Sequence, residues 1–339
     1  MTPCEYPPPV EAGDRVAVLS PSHAAPAAFD RGLDRLRSFD VDPVVYPTAR
    51  RETEWLRDHP EERAADLERA FADPSIRGVV ATMGGNVAVQ VRSRLDLDVL
   101  ERNPTRFLGG SDNTHLHSLL TRCGQVSHYG GQLFPDLVAD DEMHPYTRRH
   151  VRRALRSTSH GQVDPADEWT DEYADFEEGT VRSWYPGDGW TWHLPGADET
   201  PVRGPLVGGC LSMLRMQLAL GAPGPLADPE GCVLVVETSG ETPPPAAVER
   251  FFTVLGERGA LGSLAALLVG RPETPSRDPA ERERYRTAQR RAVTRTVDTY
   301  APDLPVVFDL DVGHTAPVLP LPLGATTEVD PGERTIRFP

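Results

Sequence analysis

Several short apolar runs each stop abruptly at a loop of Gly, Ser, Glu or His, and this repeated stop constrains the chain more than any other feature. Arg15–Leu19 ends at Ser20-Pro21-Ser22, Gly78–Met83 at Gly84-Gly85, and Arg106–Leu108 at Gly109-Gly110-Ser111. Val233–Val236 ends at Glu237, and the run from Val306 to Asp311 ends before Gly313-His314-Thr315. Runs this short, bounded by turn residues, read as buried strands; Val41–Tyr46 and Leu264–Val269 are two more. Between them lie helical spacings: Phe29, Leu33 and Leu36 within Ala27–Phe39, and Ala64, Leu67 and Phe71 within Pro60–Ala72. Ala246–Arg258 and the charged Pro279–Tyr300 continue the alternation, and Gly324–Phe338 reads as a terminal hairpin. Strands alternating with helices predict an α/β protein with a parallel sheet covered on both faces. Right-handed crossovers then gather the strand C-terminal ends, and the loops after them, along one edge.

The texture changes between residues 164 and 200, which are acidic, rich in Trp (Trp169, Trp184, Trp190, Trp192) and marked by Pro186-Gly187 and Pro195-Gly196 turns. The expected division is an N-terminal three-layer α/β domain over residues 1–163, a linker over 164–200, and a smaller strand-rich domain over 201–339. A length of 339 residues accommodates two such cores. The balance of 51 acidic against 35 basic residues gives a net charge of -16, and all 35 basic residues are Arg. No basic footprint for nucleic acid exists; the Arg148–Arg156 run reads as a solvated or subunit-contacting helix face. The acidic, Lys-free composition suits a salt-rich cytoplasm, where screening reduces self-repulsion, and points to a halophile. Cys4, Cys123, Cys210 and Cys232 form no CxxC pair, which fits reduced thiols rather than a zinc site or disulfides. Neither a signal peptide nor an apolar stretch long enough for a membrane span is present, so a cytoplasmic protein is expected.

Three loops can carry chemistry. In Gly109-Gly-Ser-Asp-Asn-Thr114, a Ser at a strand-to-helix turn would present its hydroxyl beside backbone N–H groups able to stabilise an oxyanion; the competing reading is that Ser111 or Asp112 caps the helix. Glu237 at the mouth of a buried strand needs a partner, either a titrating side chain or local backbone amides. His314 is a catalytic base or a structural histidine. Together, in the order Ser…Glu…His, they supply a nucleophile, a base and the acid that orients the base. His115 and His117 lack a third metal ligand and read as helix-face residues.

The same residues carry a family likeness. The chain resembles the LD-carboxypeptidase family of serine peptidases, its microcin C immunity branch in particular, from Val16 to about Asp330. The matching segments are Ser20-Pro21-Ser22, Met83-Gly84-Gly85-Asn86, Leu95–Asp98 through Asn103-Pro104 to Gly110-Ser111-Asp112, and Leu206–Leu211. Glu237, Gly270-Arg-Pro272 and Gly313–Pro317 through Pro322–Gly324 complete them. The resemblance implies Ser111 as nucleophile, His314 (neutral near pH 7) as general base, Glu237 as its orienting acid, and an oxyanion hole from the backbone amides of Asp112 and Gly85. It also implies an active site between the two domains, a homodimer, and neither metal nor organic cofactor. Asn86 and Trp190 are the expected substrate contacts, Trp190 as a platform for a base. The departures are Gly110 where an aromatic residue is usual, Asn86-Val87-Ala88 after the glycine pair, and the uncharged Thr238-Ser239-Gly240. Two substrate classes follow: an aminoacyl-nucleotide of the microcin C kind, or a murein tetrapeptide losing its terminal D-alanine. A silent ligand-binding homologue is the third reading.

Overall fold

Parallel pairing dominates the N-terminal half. In the computed structural model, β1 (Arg15–Leu19), β2 (Asp42–Val45), β3 (Ile76–Ala81), β4 (Arg106–Gly109) and β5 (Ser127–Tyr129) lie in the order β5-β4-β3-β1-β2, every neighbouring pair parallel. The structure describes residues 3–26, 28–172, 174, 182–194, 199–221, 224, 226, 227, 229–274 and 276–339, so the Pro195-Gly196 turn lies outside the described residues. Alternation along the strands separates two apolar layers. Val16, Val18, Val80 and Leu108 pack against Phe29, Leu33 and Leu36 of one helix and Val151, Ala154 and Leu155 of the Arg-rich one. Ala17, Leu19, Val79, Ala81 and Phe107 face the opposite way, against Leu67 and Phe71 of the helix Pro60–Ala72 and Leu116, Leu119 and Leu120. That helix starts with Pro at its first turn followed by Glu61 and Glu62, the residues its N-terminus favours.

The second sheet is mixed. Its strands are β6 (Gly161–Val163), β9 (Thr191–His193), β10 (Val202–Cys210), β11 (Val233–Glu237), β12 (Ala266–Gly270), β13 (Val306–Leu310), β15 (Thr326–Asp330) and β16 (Thr335–Phe338), in the order β6-β16-β15-β10-β11-β12-β13-β9. β10 to β13 are parallel; β9, β15, β16 and β6 pair antiparallel. A separate ribbon pairs β7 (Glu168–Trp169) with β8 (Tyr185–Pro186), and β14 (Leu321–Leu323) returns to the first sheet, antiparallel to β5. One face of the second sheet carries the helices Leu211–Ala219, Pro245–Glu257 and Pro279–Tyr300. The other face, with Val233, Val235, Leu268 and Val307, packs on Tyr129, Tyr146, Leu319 and Leu321, joining the two sheets through one apolar layer.

The longest strand of the second sheet, β10, has no sequence-derived expectation behind it, because Pro205, Gly208 and Gly209 interrupt its apolar pattern. Those glycines have a packing reason. A Cβ on Gly208 would lie 1.8 Å from the Val235 carbonyl oxygen, and one on Gly209 would lie 2.6 Å from Thr114 Oγ1, so the helix after Ser111 docks onto β10 only because no side chain intervenes. Among the described residues, no helix is long and apolar enough to cross a membrane.

Candidate active site

Ser111, Glu237 and His314, far apart in sequence, meet where the ends of β4, β11 and β13 converge. His314 Nδ1 lies 2.8 Å from Glu237 Oε2, and His314 Nε2 lies 3.2 Å from Ser111 Oγ. Both are hydrogen-bond distances, in the arrangement a nucleophile, base and orienting acid would need. Glu237 is 1 % exposed and His314 24 %, so the acid is inside and the base faces a cavity.

The turn that presents Ser111 is strained and firmly held. Ser111 has φ +56, a left-handed conformation costly for a residue with a Cβ. Several bonds hold it there. Gln132 Oε1 accepts from Gly110 N (3.0 Å), Asn113 Nδ2 donates to the Gly110 carbonyl (2.9 Å), and Thr114 Oγ1 donates to the Ser111 carbonyl (2.6 Å). Asp112 does not cap the helix; its fully buried carboxylate accepts from Ser22 Oγ (2.5 Å) and Ala88 N (2.7 Å). It thereby ties the Ser111 turn to the loops after β1 and β3. Arg63, also buried, donates to the Pro21 and Val87 carbonyls, and the Asp112 charge partly offsets the burial that lowers its pKa to about 10.

Gly84 and Gly85 lie beside Ser111 on the cavity wall. A Cβ on Gly84 would sit 2.6 Å from Ser111 Cβ and 3.0 Å from its Oγ, while one on Gly85, whose φ is +148, would collide with Ser22 and His23. Asn86, exposed, bonds through Oδ1 to His23 Nε2 at 3.0 Å. Trp190 is not among the cavity's lining residues: its indole Nε1 donates to Asp311 Oδ2 (3.1 Å) and its ring packs on the second sheet. Trp184 is not among them either, but it lines a smaller pocket together with His314. Its ring stacks on His144 at 4.7 Å and has the Arg182 guanidinium 5.3 Å from its centre.

The cavity over the Ser–His pair holds about 350 Å3 and is acidic. Asp136, Asp171, Glu172 and Glu273 line it, and Arg182 is the one Arg among the described lining residues. Arg182 is already engaged by both oxygens of Asp140, at 2.9 and 2.5 Å, and Asp171 is paired with Arg282. Burial raises the Asp136 carboxyl to about 7 against two backbone N–H donors, Gly131 and Gln132, that lower it. Burial likewise raises Glu273. For His314 burial favours the neutral ring, yet Glu237, Glu273 and Asp136 together outweigh it and raise the pKa to about 9. The three carboxylates thus favour the charged ring over the neutral one.

Sequence reasoning overlooked Tyr129. Its hydroxyl donates to Glu237 Oε1 at 2.6 Å and accepts from Ser111 N at 2.9 Å. It sits in a three-residue polar strand, Ser-His-Tyr, which has no apolar period to mark it. His117, read as a helix-face residue, is buried and bridges Ser127 Oγ (2.7 Å) and the Gly109 carbonyl (2.8 Å) at the end of β4. Among the described residues, no cluster of His, Cys, Asp and Glu is arranged to hold a metal.

Comparison with known proteins gives the same outline. The family model for the LD-carboxypeptidase N-terminal domain matches residues 16–130, and that for the C-terminal domain matches residues 203–329. A Streptomyces coelicolor relative, a carboxypeptidase by name only, is 30 % identical over 96 % of this chain and 93 % of its own. A Bacillus subtilis relative, named with similar reserve as a murein peptide carboxypeptidase, is 26 % identical over 95 % of this chain and 91 % of its own. The microcin C7 self-immunity protein MccF of Escherichia coli is 25 % identical over 95 % of this chain and 92 % of its own. Among solved structures, an MccF-like protein from Streptococcus pneumoniae in complex with AMP superposes with a TM-score of 0.84 at 26 % identity, covering 96 % of this chain and 99 % of that one.

Proposed function

The chain belongs to the LD-carboxypeptidase family of serine peptidases, and we propose that it hydrolyses an amide bond through an acyl-enzyme on Ser111, with aminoacyl-nucleotides of the microcin C type as substrates. The observation that carries the reading is the unbroken chain Ser111 Oγ–His314–Glu237 opening on a cavity. In the proposed cycle, neutral His314 takes the Ser111 proton as the hydroxyl attacks the carbonyl, a contribution of roughly 10²–10⁴-fold. The oxyanion meets the backbone amides of Asp112 and Gly85, each worth about 3 kcal/mol in the transition state. His314 then gives its proton to the leaving nitrogen, and water repeats the sequence at the acyl carbon. Glu237 keeps Nδ1 protonated throughout.

Charge distinguishes the substrates. A carboxypeptidase must hold a free terminal carboxylate, but the cavity's described lining is acidic and its Arg182 is engaged by Asp140. An aminoacyl group brings an ammonium, complementary to Glu273 and Glu172. Trp184, on the wall of a smaller adjoining pocket that also includes His314, is the aromatic residue we assign to the purine, and the S. pneumoniae neighbour holds AMP. Trp184 thus takes the part that the sequence alone gave to Trp190.

The test is hydrolysis of an aminoacyl sulfamoyl adenosine, run beside a murein LD-tetrapeptide, by wild type and Ser111→Ala. Amino-acid release by wild type alone supports the proposal. Cleavage of the tetrapeptide alone moves the assignment to a murein carboxypeptidase, with Arg182 released from Asp140 as its anchor. No Ser111-dependent turnover of either contradicts both.

A further inference from the structure

We infer that Tyr129 is a positioning residue of this site, a fourth member that couples the nucleophile's backbone to the acid of the triad. The inference rests on Ser111, His314 and Glu237 acting as proposed. Its ground is one hydroxyl with two engagements: O–H donates to Glu237 Oε1 at 2.6 Å, and its oxygen accepts from Ser111 N–H at 2.9 Å. The phenol ring is 1 % exposed, fixed in the apolar layer between the sheets, so the hydroxyl has little freedom to relax.

Three consequences follow from that geometry. First, both oxygens of Glu237 are occupied, Oε2 by His314 and Oε1 by Tyr129, so the carboxylate cannot rotate away from the base. Second, the Ser111 N–H is consumed by Tyr129, which leaves the next amide, that of Asp112, to face the oxyanion. Third, the same hydroxyl holds the backbone of a residue whose φ of +56 is unfavourable unless its surroundings enforce it. Burial and the Glu237 charge raise the Tyr129 pKa well above its ordinary value, so the phenol remains a donor across the working pH range.

Removing the hydroxyl withdraws a donor from Glu237, which raises that carboxylate's proton affinity and tightens its hold on the imidazolium; the His314 midpoint then moves up. A stronger donor moves it down. The titratable groups that face this cluster are His117 on the helix after Ser111, Cys210 on β10, Glu237 on β11, Glu273 after β12 and Asp136 after β5. Of these, Glu237 is the one bonded to the phenol oxygen, so a change confined to that atom reaches the others only through it.

The experiment follows the rate at which a fluorophosphonate phosphonylates Ser111 as a function of pH, which needs no knowledge of the natural substrate. Four proteins are compared: wild type, Ser111→Ala, Tyr129→Phe, and protein carrying 3,5-difluorotyrosine at position 129. The fluorinated phenol keeps the shape and is the stronger donor, so it keeps the test decisive where the Phe protein folds poorly. The expected result is a labelling rate about 10- to 100-fold lower for Phe, with its pH midpoint above wild type and that of difluorotyrosine below. A merely structural role would lower the amount of active protein without displacing the midpoint in opposite directions. Identical midpoints in the Tyr, Phe and difluorotyrosine proteins would overturn the inference about Tyr129. Labelling that survives in Ser111→Ala would instead overturn the assignment of the nucleophile.

Discussion

Replacing Glu237 by Gln removes one charge from a site where three carboxylates surround one imidazole, and the size of its effect can be worked out from the geometry. An ordinary histidine titrates at about 6.5. Burial lowers His314, but Glu237 at 2.8 Å, with Glu273 and Asp136 behind it, raises it to about 9. At about 1.4 kcal/mol per pH unit, that displacement is on the order of 3 kcal/mol of preference for the charged ring. With most of the resting base protonated at pH 7 on this value, kcat/KM of wild type should climb with pH through a midpoint near 9. In Glu237→Gln the largest favourable charge is gone while burial remains, and the midpoint should fall by about two units. The variant's plateau should also drop by roughly 10³–10⁴-fold, because Gln does not enforce the Nδ1–H tautomer. The assay is an NMR titration of isotope-labelled imidazole, with kcat/KM against pH measured in parallel. A wild-type His314 titrating between pH 6 and 7, or an unmoved midpoint in Glu237→Gln, would refute the reasoning. A stability effect of definite sign accompanies it. Since the folded pKa is raised, the pair stabilises the fold fully below pH 6.5, and that contribution is lost as pH rises through 9.

Other outcomes follow from neighbouring contacts. Gly84→Ala would force a methyl to 2.6 Å from Ser111 Cβ; turnover should fall at least 100-fold while the melting temperature drops by only the few degrees that about 1–3 kcal/mol of overpacking produces. Asp112→Ala removes the one buried oxygen that accepts from both Ser22 Oγ and Ala88 N; denaturant unfolding should show a loss of about 2–3 kcal/mol. Acid should weaken the fold through histidines buried neutral. His117 is held at about 4, and His150 and His160 at about 3, by burial first. Their contribution is full above pH 6.5 and is lost as pH falls toward those values, about 2 kcal/mol each between pH 7 and 5, offset by about 2 kcal/mol from Asp136 regaining its proton. Urea midpoints at the two pH values check this, and equal midpoints would contradict it.

Much of the site was legible because strand ends are legible. Apolar runs that stop at Ser, Glu or His place those residues on one edge of a sheet before any contact is known, and the helices Pro60–Ala72 and Pro279–Tyr300 begin and end where their Pro and apolar spacing indicate. What escaped is what apolar periodicity does not encode. β10 hides behind its glycines, although Gly208 and Gly209 are what let Val235 and Thr114 approach. Tyr129, Gln132 and Arg63 have roles fixed by partners distant in sequence. Tyr129 reaches Glu237 only because β5 and β11 lie on facing layers. Nothing in the sequence separates Trp190 from Trp184; only the third dimension shows one giving its N–H to Asp311 and the other lining a pocket with His314. The raised pKa of His314 escaped for the same reason, since it depends in part on Asp136 and Glu273 arriving from two other loops.

The most direct test of the account is to catch the covalent intermediate. Wild type would be mixed with an aminoacyl sulfamoyl adenosine at pH 9, quenched in acid within milliseconds, digested, and its Ser111 peptide weighed by mass spectrometry. The account predicts a transient gain of one aminoacyl mass on Ser111, absent in His314→Ala and in Ser111→Ala. Turnover of the compound with no adduct on Ser111, or with the adduct on another residue, would contradict it.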